Sequence, residues 1–133
     1  MSSRKHIKND LLERKISAII RTYNQKVAEQ AMQAAVDGGF RVVEFTLTTP
    51  GALNLISQFR ENDDLIVGAG TVMSPILVQE AVEAGAQFLV SPVCNVDVIK
   101  AAEKLDVVSI PGTFTATEME TAHRAGADFV KLF

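Results

Sequence analysis

A single cysteine, Cys94, excludes an internal disulfide, and with no second cysteine at ligand spacing it excludes a cysteine-built metal site. No excess of basic charge is present either: the net charge is -3, which leaves no footprint for nucleic acid or an anionic membrane surface. No run of 18 or more apolar residues occurs, and the opening MSSRKHIKNDLLERK is charged where a signal peptide needs an apolar core. Membrane spanning and secretion are therefore disfavoured, and a reducing, cytoplasmic setting is expected. The two histidines, His6 and His123, fall in helical segments far from the strand ends. Neither a metal triad nor a histidine-based catalytic pair is expected from them, and no histidine is placed to activate Cys94.

What the chain does have is an ordinary globular composition, 47% hydrophobic and 22% charged over 133 residues, enough to bury one core. A single domain over residues 1–133 is expected. Three stretches echo one another: AAVDGGFRVVEF, AVEAGAQFLVSP and AHRAGADFVKLF. Each runs from a helical pattern through a glycine, Gly39, Gly85 or Gly126, into a short apolar strand, as a left-handed residue after a helix would allow. The spacings of 46 and 41 residues hold about two strand–helix units each, and LIVGAGTV and VVSIPG supply the intervening strands.

The pattern predicts an amphipathic helix over 3–13 and strands over 15–20, 41–47, 65–69, 88–92, 107–110 and 129–133. Helices are predicted between them, over 24–37, 51–61, 74–84, 95–105 and 115–125. Apolar runs alternating with helices imply a parallel sheet covered by helices, either a doubly wound open sheet or part of a (β/α)₈ TIM barrel. Polar residues and glycines gather at the strand C-termini, which in a barrel form one mouth where active sites lie. The chain supplies six strands, and the smallest barrels need roughly 200 residues. Six of eight barrel strands plus an N-terminal helix is the expected architecture.

Glu44 and Lys131 are ionisable side chains inside apolar strands, each five residues after a repeat glycine and so at equivalent strand heights. Taken singly, either side chain is equally well read as pointing to solvent at a ragged strand end. Together they suggest chemistry: burial disfavours the charged form of an amine, and a neutral amine attacks a carbonyl to form a Schiff base. A carboxyl group nearby can carry the protons. VGAGTV at 67–72 does not satisfy the dinucleotide fingerprint, and its bland reading is a tight turn. Its functional reading is that Gly68 and Gly70 admit a ligand while Thr71 offers a hydroxyl. Pro92 and Pro111 are expected to end their strands.

The motifs GGFRVVEFTLTTPGAL, IVGAGTV, AGAQFLVSP, IPGTFTATE and AGADFVKLF, in this order, resemble the 2-keto-3-deoxy-6-phosphogluconate and 4-hydroxy-2-oxoglutarate aldolase family from about residue 11 to 133. The resemblance implies a class I aldolase of carbohydrate metabolism on a TIM barrel. Such enzymes are homotrimeric, use no metal or organic cofactor, and cleave a keto acid to pyruvate and an aldehyde. It matches Lys131 to the Schiff-base lysine, Glu44 to the proton-shuttling glutamate, Thr71 to the pyruvyl-pocket threonine, and Pro92 and Phe133 to pocket walls. Thr48 stands where many members carry a carboxylate-binding arginine, and Arg21, at the end of strand 1, matches the position some members use instead. Members continue past the lysine through two more strands and a phosphate-binding glycine segment, so the resemblance implies a C-terminally truncated barrel. Two other readings stand beside it: an inactive, self-associating barrel fragment, and a phosphate-binding barrel of the thiamine-phosphate-synthase kind, which needs a magnesium site of carboxylates.

Overall fold

The computed structural model describes residues 3–133 and alternates helix with strand throughout. The elements are α1 (Ser3–Arg14), β1 (Ala18–Ile20), α2 (Gln25–Asp37), β2 (Val42–Thr46), α3 (Ala52–Phe59) and β3 (Ile66–Gly70). They continue with α4 (Pro75–Glu83), β4 (Phe88–Ser91), α5 (Val96–Lys104), β5 (Val108–Thr113), α6 (Ala116–Arg124) and β6 (Lys131–Leu132). All six strands are parallel and pair in chain order, β1 to β6. Six parallel strands with helices between them make a curled half-barrel.

Two apolar layers follow from the strand period of two. Val43, Phe45, Val67, Ala69 and Leu89 face outward and pack under the helices, with Met32, Leu55, Ile56 and Val78 from the helical side. Val42, Ile66, Phe88 and Val108, each the first residue of its strand, face into the curl together with Val90. Helix α1 closes that end. Its Ile7 is buried against the inner layer and Leu11 packs beside it, so the expected amphipathic face is one narrow stripe on a charged helix. Burying a side chain of this size fully stabilises by roughly 1.5–3 kcal/mol.

Gly39, Gly85 and Gly126 have φ of 108°, 103° and 98°, the positive values that let the chain leave each helix and enter the next strand. Asn24, Ser74, Asn95 and Thr115 cap the following helices with their side chains. Three expected boundaries are corrected. β1 starts at Ala18 rather than residue 15, because Lys15 adopts a left-handed φ of 64° and its N–H still bonds Leu11 O in the helix. β5 runs through Pro111 to Thr113. There the ladder passes from β4, which pairs Ser91 with Pro111, to β6, which pairs Lys131 with Gly112, so the missing N–H falls at the handover. β6 is only two residues long, because Asp128 uses its side chain where a longer strand would use backbone.

Candidate active site

Inside the curl lies a cavity of about 330 Å³ that both Glu44 and Lys131 line, with Val90, Ile110 and Phe129 as apolar wall. Val90 stands five residues after Gly85, so the three repeat units each send the same position into this space. Glu44 is 3% exposed, in a strand whose other residues are all buried. In register it sits between Ile19 of β1 and Gly68 of β3. Lys131 is half-buried, its Nζ 5.2 Å from the centre of the Phe133 ring. Lys15 reaches the same cavity from the turn after α1 and is a second amine there, one the strand-end pattern does not reveal.

The glycines of GAG are explained by these neighbours. A Cβ on Gly68 would meet the Phe88 ring, and a Cβ on Gly70 would meet the Glu44 carboxyl. The space above them is thus filled by the protein's own side chains, which corrects the expectation that they stand open for a ligand. Glu44 leans along its strand toward the mouth and lies against Gly70, next to Thr71. Thr71 takes a left-handed φ of 59°, unusual for a β-branched residue. Its hydroxyl accepts a hydrogen bond from Arg21 Nη2 at 2.9 Å.

Burial pushes the Glu44 carboxyl above the usual carboxylate range, while the charges of Lys131 and then Arg21 pull it back. Arg21 and Lys131 therefore both act on this carboxyl. A row of threonines holds the Arg21 segment: Thr22 N–H donates to Thr49 Oγ1 at 3.2 Å, and the Thr49 and Thr46 hydroxyls are bonded at 3.2 Å. Thr46 and Thr49 are buried. Thr49 was not singled out from sequence, although the run TLTTP at a strand end carried the signal.

The remaining expected site residues lie as follows. Phe133 is exposed, and its ring and the Pro92 carbonyl both crowd the position of a Cβ on Gly112. Thr48 is exposed, bonds the Thr46 hydroxyl at 3.2 Å and lines a separate surface pocket with Pro50 and Leu77. The structure thus gathers Glu44, Lys131, Arg21 and Thr71, sets Phe133 and Pro92 at one side, and leaves Thr48 outside the cavity. Among the described residues no three His, Cys, Asp or Glu side chains gather as metal ligands would, and no helix is long and apolar enough to cross a membrane. Burial, and then Glu118, raise the Cys94 thiol, which disfavours its thiolate form.

The family model for KDPG and KHG aldolases matches residues 7–133. The chain belongs to this family. It is 37% identical over 106 residues to the 2-dehydro-3-deoxy-phosphogluconate aldolase of Zymomonas mobilis, covering 80% of this chain and 51% of that protein. Against the KHG/KDPG aldolase of Escherichia coli K12 it is 40% identical over 102 residues, covering 76% of this chain and 48% of the relative. The chain spans about half the length of the curated relatives it matches. Among solved structures it is similar to the KDPG aldolase of Legionella pneumophila with pyruvate captured as a covalent carbinolamine, at 30% identity and a TM-score of 0.70, covering 83% of this chain and 53% of that one.

Proposed function

We propose that the chain carries the Schiff-base machinery of a class I aldolase that reversibly cleaves a 2-keto-3-deoxy-6-phospho sugar acid or a 4-hydroxy-2-oxo acid to pyruvate and an aldehyde. The observation that carries this reading is the shared cavity: a buried carboxyl and an amine face one space whose remaining wall is largely apolar. The amine of Lys131 attacks the keto carbon, the carbinolamine loses water, and the resulting iminium draws the electrons of the breaking carbon–carbon bond into an enamine. The aldehyde leaves. Protonation of the enamine carbon and hydrolysis of the imine then release pyruvate and free the lysine.

Glu44 moves the protons. Burial favours the protonated form of this carboxyl while Lys131 and Arg21 favour the ionised one, so the site supports both forms, as a group serving both directions of a reversible reaction requires. Arg21 binds the substrate carboxylate, for which its planar fork is suited, and Thr71 aims it. Phe133 and Pro92 shape the wall on the lysine side, and Thr48, which lines a separate surface pocket, takes no part.

The half-barrel is read as six strands of a (β/α)₈ barrel, the phosphate contacts belonging to strands beyond β6. The working form is a cytoplasmic homo-oligomer, a trimer by family resemblance, that needs no metal or organic cofactor. Borohydride reduction in the presence of pyruvate tests the chemistry. A pyruvyl mass on Lys131, lost in Lys131→Ala and kept in Lys15→Met, is expected. No adduct on the protein, or an adduct on Lys15 alone, would refute the assignment.

A further inference from the structure

We propose that Asp128 is a positioning residue for Lys131, and that helix α1 acts through it to hold the amine in the cavity; the proposal builds on the aldolase reading of Lys131. Strand β6 meets β5 through two register pairs, Gly112 with Lys131 and Thr113 with Leu132. Just upstream the ladder is irregular. The N–H groups of Asp128 and Phe129 both point to one acceptor, Ser109 O, at 3.2 and 3.3 Å. The return bond, from Ser109 N–H, goes to Asp128 Oδ2 at 3.1 Å. Three residues before the lysine, a side chain thus does what a strand's carbonyl would do.

That carboxylate is in turn held from α1. Arg4 Nε donates to Asp128 Oδ2 at 2.8 Å, and Arg4 Nη2 donates to Gly126 O at 2.6 Å. Lys8 Nζ stands 3.8 Å from Asp128 Oδ1 and 5.7 Å from the centre of the Phe129 ring. Arg4 and Lys8 are one helical turn apart, and Ile7 between them is buried in the inner core, so one face of α1 fixes its depth and its charges together. The side chains of Arg4 and Asp128 are 16% and 8% exposed. A pair this shielded keeps its geometry, and removing one partner leaves the other uncompensated. Residues 126 to 129 are therefore clamped from two directions. Past the clamp, the lysine is steadied by the two register pairs, by the Thr113 hydroxyl donating to its carbonyl at 3.5 Å, by the Phe133 N–H on Thr113 O at 3.1 Å and by the exposed Phe133 ring.

The test compares wild type, Asp128→Asn and Arg4→Met by residue-resolved hydrogen exchange and by the rate of pyruvate trapping at Lys131 under borohydride. Asparagine keeps an oxygen for Ser109 N–H but loses the charge. Exchange over 129–133 is expected to quicken by about tenfold, with β2 to β4 unchanged, and trapping to slow by about tenfold, since small displacements of a reacting group are costly. Arg4→Lys, which keeps the charge, should recover part of both effects. Unchanged exchange at 129–133, an equal loss of protection in all six strands, or localised loosening with undiminished trapping would each overturn the proposal. If wild type itself takes up no pyruvate, the aldolase reading falls, and the exchange arm alone decides whether Asp128 fixes the lysine strand.

Discussion

At Gly70, one hydrogen atom in place of a methyl group decides where the Glu44 carboxyl can sit. Gly70→Ala puts a Cβ into that carboxyl, the free end of a side chain that can swing away. Turnover is therefore expected to fall far more than stability, as steady-state kinetics and denaturant unfolding measured on one preparation can show. Gly68→Ala is the contrasting case, because its Cβ meets the Phe88 ring in the inner core. It should cost about 1–3 kcal/mol of stability through overpacking. Glu44→Gln is expected to slow turnover by roughly 10²–10⁴-fold, the usual worth of acid–base catalysis. Because burial raises the folded-state value of Glu44, the native protein binds the proton more readily than the unfolded chain, so this group's contribution to stability falls as pH rises through its folded value. Glu44→Gln should accordingly raise the melting temperature at neutral pH, and the gain should shrink in acid; a variant less stable than wild type at neutral pH would contradict this. Both ionisable residues were legible because charge inside an apolar strand, at a repeated offset from glycine, is conspicuous. The fit of Glu44 against Gly70 was not, since spacing along a strand does not say which neighbour fills a gap.

Along the elements, the alternation of strand and helix was legible in apolar runs punctuated by glycine, and the boundaries that shifted did so for local reasons. A left-handed Lys15 delays β1, and the Asp128 side chain shortens β6. Neither conformation is written in a hydrophobic pattern. Helix α6 carries a reciprocal polar cap: Thr115 accepts from Glu118 N–H at 3.2 Å, and Glu118 Oε2 accepts from Thr115 N–H at 2.8 Å. Thr115→Ala should cost about 1 kcal/mol by chemical denaturation. The bond from Phe114 N–H, and then those from Thr115, hold Glu118 below the usual carboxylate range, so its share of the cap is present above the unfolded value and is lost as pH falls through the folded one. The stability difference between wild type and Thr115→Ala is thus expected to narrow in acid; a constant gap down to low pH would argue against the reciprocal cap.

For the molecule as a whole, β1 and β6 are the two ends of the sheet, each paired on one side only among the described residues. Ile19 is 47% and Leu132 67% exposed at these ends. Strand edges with free N–H and C=O groups and apolar side chains associate. Light scattering is expected to give a mass above the 14.4 kDa of one chain, rising with concentration, and Leu132→Lys should reduce it. A monodisperse monomer at all concentrations would show that these edges are adequately blunted by their shortness. The parallel helix-covered sheet was readable in advance because only a covered sheet tolerates continuous apolar strands. The joining of α1 to the lysine strand was not, because nothing local in RKHIK or GADF announces a partner more than a hundred positions away.

Each strand pairs with the one before it in the chain, so the sheet can grow by accretion as the polypeptide emerges, every new unit adding to the last edge. The contact between Arg4 and Asp128, separated by 124 positions, is different. It closes only when synthesis has nearly reached Phe133. A nascent chain that has just passed β3 already holds Arg21, Glu44 and Thr71, yet it has no β6 and no amine from it. The clamp on the lysine strand therefore forms after β1 to β5 have paired, and it closes onto helix α1, which was made before any of them.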